Sequence, residues 1–555
     1  MKSSPKQSWA IRAECSAIDS LQSKLRYLCW SGLLLLSASA CAPFAEPQAT
    51  AAGRSAQASP EGSPKNRFAQ DENPTPQVSD KTTIQIESSD KHLVNGFNWA
   101  KQQALRNVFS KDLVGKWYES TLPGRDAFCM RDVSHESVGA EVLGLRSYTK
   151  NMLRKFAVNI SASKDWATFW EINKYDRPAP VDYTDDKNFW YDLPANFDIV
   201  RASWREYQWT ADPDYIEDMT FQSFYEHSVD EYVEQWDTEH SGVMESPRSD
   251  RFRGIPSYDE DWQSPRLIVA DLLAAEYAGY MSYGRIQNAK GNPNVAAIYF
   301  KKAENLKGLY NSDWWNEKLG RHYDAVLQDH NFYSGYINAA HILPFWFDQI
   351  PEEGEKSDRE LDYILRKGAH GVELRSYLPW IFYKYGRNDT AYHLLSEMID
   401  PSLPRREYPE VSFSVIDDVV EGMMGISPDA SRREIETLSR LTSKTAWVKL
   451  SGVPVFDNYV SVLHEGTRKT SFTNEVGSPV SWKASFPISI DPISNDPWRL
   501  DPDGQTRIVK SAAPSYLLVD GVRVDATSTI GLDGQVSVFV IMTVNAGETR
   551  TVQMP

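Results

Sequence analysis

The sequence predicts a mainly α protein, an (α/α)6 toroid followed by a β-rich C-terminal domain. Two observations carry this expectation. Between residues 91 and 441 amphipathic helical patterns recur, about a dozen of them, with loop signals between. After about residue 443 the chain turns to Val-, Thr- and Ser-rich runs with turn signals at Asp520-Gly521 and Asp533-Gly534, and Val536, Val538 and Val540 alternate as strand residues do. Twelve helices in hairpin pairs, six lining the inside and six outside, close a toroid. A superhelical array would instead show a self-similar period, and none is visible. At 555 residues the chain can bury a large core and carry an appendage.

The N-terminus reads as an export signal over residues 1–41. Lys24 and Arg26 precede an apolar run from Tyr27 to Leu36, which ends in Ser37-Ala38-Ser39-Ala40 before Cys41. This resembles a bacterial lipoprotein signal, although Ala38 stands where such signals prefer leucine. It implies lipidation at Cys41, a lipid anchor to the membrane, and a place in the periplasm or on the outer-membrane surface. Plain secretory cleavage nearby is the competing reading. Two acyl signals make anchoring stable, so Cys41→Ser should move the protein to the soluble fraction, and unchanged membrane association would refute the anchor. The Ala-, Pro-, Ser- and Gln-rich residues 42–85 have too few large apolar groups to fold and are expected to be a disordered linker.

Composition excludes several function classes. A net charge of -17 argues against nucleic acid and against a broad anionic membrane surface. Cys15 and Cys29 leave with the signal, so only Cys41 and Cys129 remain, too few for a disulfide framework or a thiolate zinc site. Cys129 has no base fixed near it by spacing and reads as a small buried residue. The chain is rich in aromatics, whose faces stack on sugar rings and also fill cores.

In order, the first helix is expected over 91–110, with Leu93, Phe97, Ala100, Ala104, Leu105 and Val108 on one side. Further helices follow over 133–145, 147–161, 195–209, 214–236, 265–285, 293–309, 332–347, 358–367, 372–385, 389–398, 412–426 and 430–441. In 147–161 one stripe carries Met152, Leu153, Phe156, Ala157 and Ile160; in 412–426 Val415, Ile416, Val419, Val420, Met423 and Met424 do the same. The toroid is expected over 86–445 and the β-rich domain over 446–555. In that last domain His464-Glu465-Gly466-Thr467 and Thr473-Asn474 read as structural.

Functional residues are expected just before the inner helices, where long loops meet at one end of such a ring. The densest stretch runs from Trp117 to Glu136. Its Arg131-Asp132 and His135, directly before an apolar helix, resemble the Arg-Asp motif of (α/α)6-barrel glycosidases, the six-hairpin group that includes glucoamylases and glycogen-debranching enzymes. The resemblance implies that Arg131 and Asp132 grip hydroxyls of a terminal sugar. A carboxylate beside an arginine stays ionised and accepts two such bonds. Trp117, Tyr118, Glu119 and His135 join them as candidate sugar contacts. The bland reading is an Arg-Asp pair that ties a loop to a helix start.

Four more stretches contribute candidates. Trp170 and Glu171 lead into a long aromatic loop where Trp190, Asn196 and Asp198 surround a proline-fixed helix start at Pro194, and Asp192 caps that helix. In Gly254 to Glu260, Tyr258 and Glu260 sit where the helix count of glucoamylases places their Trp-Glu-Glu segment, which carries a general acid; a wet acidic loop explains them equally. Glu373 and Arg375 open the 372–385 helix, to reach a ligand or to pair with each other. Glu410 stands where six-hairpin enzymes put a second carboxylate, with Arg405 and Arg406 able to attract an acidic sugar; a glutamate there also favours the helix's positive end.

Taken together, the sequence reads as an exported glycoside hydrolase that trims terminal sugars, including uronic acids, from oligo- or polysaccharides. Glu260 and Glu410 are expected as acid and base of an inverting hydrolysis, with Asp132 and Arg131 holding the sugar and no metal or organic cofactor. Two alternatives stand beside it. A uronate lyase or dehydratase on the same fold would rely on His135, Tyr118, Tyr258 and Tyr408. A non-catalytic glycan-binding lipoprotein would need no converging carboxylates.

Overall fold

The computed structural model describes residues 81–247, 253–261, 263–348, 350–351, 354–488, 514–530 and 536–555. The export signal, Cys41, nearly all of the linker and the Asp533-Gly534 turn lie outside them. The last linker residues are described and are ordered: Ile84 is fully buried and Gln85–Ser88 is a strand.

Six helical segments line the inside of a ring. They are Met130–Val142, Ala195–Thr210, Ala270–Ala289, Asn338–Trp346, the pair Val372–Ser376 and Leu378–Lys384, and Pro409–Asp417 continued by a π-helical turn over Asp418–Met423. Each packs on the next and the last packs on the first, so the ring closes. Outside them run Lys91–Arg106, Arg146–Ala157, Met219–Val229, Pro293–Ser312, Glu355–Lys367 and Asn388–Met398. The sequence separates the two sets by pattern. Every residue of Met130–Val142 is buried, whereas Glu355–Lys367 buries one stripe of Ser357, Glu360, Leu361 and Ile364.

The twelve helices are not quite those expected. The segment 430–441 is not helical: Glu434–Leu438 is a strand, with Ile435 and Thr437 buried alternately, paired in parallel with Val480–Pro487. Its place as the twelfth helix is taken by Lys91–Arg106, which packs on Pro409–Asp417 and joins the two ends of the ring. The 332–347 segment also splits, into a strand at Phe332–Tyr333 and the helix Asn338–Trp346.

Close approach of the first and last inner helices depends on Gly139, where an added Cβ would stand 2.3 Å from the Phe413 carbonyl oxygen. Backbone cannot yield as a side chain can. Gly139→Ala is expected to cost about 1–3 kcal/mol, the usual range for overpacking, read as a lower urea midpoint. An unchanged midpoint would mean that the contact is not as close as described.

Strands after the ring form two sheets. One, of seven strands, includes the N-terminal Gln85–Ser88 beside Trp447–Val455; the other, of five, begins with Ser427–Asp429 and Glu434–Leu438. Strand structure therefore starts ahead of residue 446. The sheets meet the ring where inner helices end: Phe456 donates its N–H to Trp209 O at 2.7 Å, and His464 Nε2 lies 3.0 Å from Met424 O. His464 Nδ1 bonds Thr470 and Asn474 bonds the Ser478 and Val544 carbonyls, so these polar groups hold the sheets together. They stand far along the helices from the residues described next.

Candidate active site

Five inner helices carry an acid in the first turn: Asp132, Asp198, Asp271, Glu373 and Glu410. Unpaired N–H groups at a helix start favour negative charge there, which is the local reason for the pattern. Short ladders lace the preceding loops together. Ala127–Cys129 pairs with Glu171–Asn173, and Arg253–Ile255 pairs with Tyr191–Asp192.

Arg131 is the hub at which these helix starts meet. Its Nη1 is 3.0 Å from Glu260 and 3.7 Å from Asp192, its Nη2 is 2.7 Å from Glu373, and its Nε is 3.8 Å from Asp132. The guanidinium lies over the rings of Tyr258, at 4.9 Å, and Trp170, at 5.5 Å. Arg131, Asp132 and Asp192 are buried, while the Glu260 and Glu373 side chains are 38% and 31% exposed and mark the mouth. Glu260 sits at φ 53°, a left-handed turn that a non-glycine residue pays for, which fits a site-directed loop. Tyr258 hydrogen-bonds Asp198 through its hydroxyl and Asp271 through its N–H.

Glu410 is fully buried. Its Oε1 is 3.1 Å from His135 Nδ1, and its Oε2 has no hydrogen-bond partner. His135 Nε2 is 3.1 Å from Ser414 Oγ. The imidazole stacks on Tyr377 with ring centroids 3.6 Å apart and planes 7° off parallel, and Trp346 meets it edge-on at 5.1 Å.

Crowding of acids in a dry pocket sets their protonation. Burial, then the neighbouring Asp132, Glu373 and Glu136, push the Glu410 carboxyl well above the usual range. Burial raises Asp132 likewise, against the pull of Arg131. Desolvation raises Glu260 too, and Arg131 opposes it; because this side chain is partly in water, the guanidinium contact decides, and Glu260 is the acid best placed to stay charged. Burial lifts Asp198 to about 8. Burial, with the Arg205, Arg201 and Arg131 charges, holds His135 well below its ordinary value, so the ring is neutral.

The structure brings together Arg131, Asp132, His135, Trp170, Asp198, Tyr258, Glu260, Glu373 and Glu410 from the expected set, with Tyr408 buried near Asp132 and Glu410. It takes others away. Trp117 is core, stacked on Phe109 with its N–H on Asp112; Tyr118 is buried against Phe413 and bonded to Thr149. Glu119 accepts the Asp126 N–H and closes a loop. Asn196 is fully buried and bonded to Tyr191, Trp166 and Ser228, which leaves nothing for a sugar. Arg375 is exposed and donates to Ala369 O rather than to Glu373. Glu171 pairs with Arg125 at 3.0 Å, and burial beside Asp182 lifts it to about 9; Trp190 packs on the apolar core. Arg406 lies over Trp99, not in the pocket.

Sequence reasoning missed Ser414, Tyr377, Trp346, Asp271 and the contact of Asp192 with Arg131. Ser414 had a signal, since it stands one helical turn after Glu410 as His135 stands one turn after Arg131. Asp192 does cap its helix, accepting the Ala195 N–H at 3.2 Å, and turns its other oxygen to Arg131. Among the described residues, Asp132, Glu373 and Glu410 bring oxygen atoms within 4.8 Å of one another. Arg131 already supplies positive charge to two of the three, and we assign them no metal.

No protein-family model matches the chain, and no curated protein matches it in sequence. Solved structures do match in fold. The GH78 family rhamnosidase of Bacillus sp. GL1 is similar at TM-score 0.52 with 12% identity, over 72% of this chain and 41% of that one. The alpha-L-rhamnosidase from Dictyoglumus thermophilum gives 0.52 and 11%, over 85% and 51%. That from Aspergillus terreus gives 0.51 and 12%, over 84% and 51%. This chain thus spans about half the length of these proteins or less. At such identities the likeness establishes the toroidal fold of six-hairpin glycosidases.

Proposed function

We propose that the protein is a glycoside hydrolase that removes a terminal sugar by an inverting, two-carboxylate mechanism. The observation that carries the reading is Glu410: a fully buried carboxyl, bonded to His135 through Oε1 and without a partner at Oε2, which burial and the neighbouring Asp132, Glu373 and Glu136 push toward the protonated form. A general acid must hold a proton at neutral pH and have an oxygen free to deliver it. Glu410 therefore takes the acid's part and Glu260, against Arg131, the base's, the reverse of the order the sequence suggested. Asp132 and Glu373 accept sugar hydroxyls. The known glycosidases that share the toroid support a carbohydrate substrate.

Glu260 meets Arg131 through Nη1 and Glu373 through Nη2, and Glu373 and Glu410 bring oxygens within 4.8 Å of each other, so the two proposed carboxylates belong to one cluster. The inverting reading requires them to stand roughly 6.5–9.5 Å apart, which admits water, rather than the ~5 Å of a retaining pair. The sugar is neutral: Arg131 is already engaged by Glu260 and Glu373, and a uronate carboxylate would face Asp132 and Glu410.

The eliminating alternative finds less support. His135 is held on both ring nitrogens and Tyr258 is committed to Asp198, so neither is free to take a substrate proton. Convergence of the carboxylates counts against a purely binding role. The test is proton NMR of a freshly released sugar. The expected first product has the anomeric configuration opposite to the substrate's; retention would rule out Glu260 as base.

A further inference from the structure

We propose that His135 is a positioning residue, which fixes the transferable proton of Glu410 on Oε2, the oxygen without a partner, rather than on Oε1. The role and the choice of tautomer both rest on the hydrolase reading above, and the ring-nitrogen measurement below tests the tautomer apart from it.

In a buried site each hydrogen needs a place. Two arrangements satisfy the His135–Glu410 contact. In the first, Nδ1–H donates to Oε1, Nε2 accepts the Ser414 hydroxyl, and the carboxyl proton resides on Oε2. In the second, Oε1–H donates to Nδ1, Nε2–H donates to Ser414, and the serine hydrogen is left over while the carboxyl proton points away from any substrate. Ser414 makes its side-chain hydrogen bond to Nε2. Each arrangement leaves one buried hydrogen without a partner, the carboxyl's in the first and the serine's in the second, and only the first leaves it on Glu410, where the acid role needs it. Oε2 is also the oxygen without a partner, as a carboxyl waiting to donate would be.

The ring cannot turn to exchange its nitrogens. Tyr377 stacks on one face at 3.6 Å, Trp346 closes an edge at 5.1 Å, and His135 is only 4% exposed. The groups that face Glu410 from the surrounding elements are Asp132, Glu136 and Arg131 on Met130–Val142, Glu373 and Tyr377 on the 372–384 segment, and Tyr408 ahead of its own helix. Of these, none is recorded within hydrogen-bonding distance of a Glu410 oxygen, so the histidine alone distinguishes the two. During turnover the Oε2 proton passes to the leaving-group oxygen as the glycosidic bond breaks, a water proton passes to Glu260, and Nδ1–H stays to stabilise the new carboxylate at Oε1.

The test uses three full-length variants. His135→Phe keeps the stack and removes both hydrogen bonds. His135→Asn places an amide N–H near the Nδ1 position, and Ser414→Ala leaves the ring but frees its tautomer. His135→Phe is expected to lower kcat by about 10²-fold on a glycoside with a poor leaving group, with KM changed by less than about threefold. On a dinitrophenyl glycoside, which leaves without protonation, the loss should shrink to about tenfold or less. His135→Asn should recover part of the activity, and the alkaline limb of the pH profile should move in Ser414→Ala.

Equal losses on both leaving groups, or a wild-type pH profile in Ser414→Ala, would overturn the role. Ring-nitrogen NMR reads the tautomer without any substrate. The signal that disappears in His135→Asn should be Nδ1-protonated in the wild-type protein; an Nε2-protonated signal overturns the inference even if hydrolysis stands. Conversely, an Nδ1-protonated ring in a protein that hydrolyses nothing would refute the function and leave the geometry intact. If His135→Phe does not fold, Ser414→Ala and the NMR measurement decide.

Discussion

Glu410→Gln is expected to lower kcat by about 10²–10⁴-fold on a glycoside with a poor leaving group, the usual contribution of a general acid, with KM little changed. Glutamine keeps the shape and an acceptor for His135 Nδ1–H, but it has no proton to give. The loss should therefore lie in the chemical step rather than in folding. Burial and the Asp132, Glu373 and Glu136 neighbours hold the wild-type proton well above the ordinary carboxylate range. Activity should accordingly persist through neutral pH and decline on the alkaline side as Glu410 ionises. The acid limb should belong to Glu260, whose charge Arg131 supports. Steady-state kinetics across pH checks this; a variant with wild-type kcat would remove Glu410 as acid.

Arg131→Met is expected to abolish most substrate binding and to cost about 3 kcal/mol of stability, the lower end for breaking a buried ion pair, because two partners are partly exposed. Glu260 and Glu373 would lose their partner, and the buried Asp132 and Asp192, which burial already pushes up, would lose the Arg131 charge that opposes it. The cost should shrink at acid pH, where protonated carboxyls no longer need a counter-ion. Arg131→Lys should not restore binding, since one ammonium cannot serve Glu260 and Glu373 at once as the planar fork does. Urea unfolding at two pH values, with KM on the folded fraction, reads both effects. Unchanged stability in the methionine variant would show that these acids are neutral without Arg131.

The inner-helix acids were legible because a carboxylate suits the positive start of an apolar helix. Glu373 and Glu410 carry that mark in the first turn of their helices, whereas Glu260 stands in a loop well ahead of Ala270–Ala289. What joins them is ring closure, and nothing local records it. Hence Lys91–Arg106 could be read as a helix but not as the partner of Pro409–Asp417, and 430–441 was taken for the missing twelfth helix. Its Ile435 and Thr437 alternate with period two, but charged residues around them mimic a wet helix.

Pocket aromatics failed in both directions for one physical reason. A tyrosine or tryptophan has the same pattern whether it faces a sugar or a core. Trp117 and Tyr118 were expected in the pocket and lie in the core; Tyr377 and Trp346 carry no mark in the sequence and pack against the His135 ring beside Glu410. Glu119 and Asn196 were misplaced because loop polarity alone does not distinguish a ligand contact from a backbone tie, and here each closes a turn or anchors a loop.

The most direct test is digestion of a library of neutral and uronate-containing glycans in heavy-oxygen water, with the products read by mass and ultraviolet absorbance. The account predicts one released terminal sugar carrying the heavy oxygen at its anomeric hydroxyl, absent from digests by Glu410→Gln. A product that lacks the label and absorbs as an unsaturated uronate, or a label released equally by the variant, would contradict it.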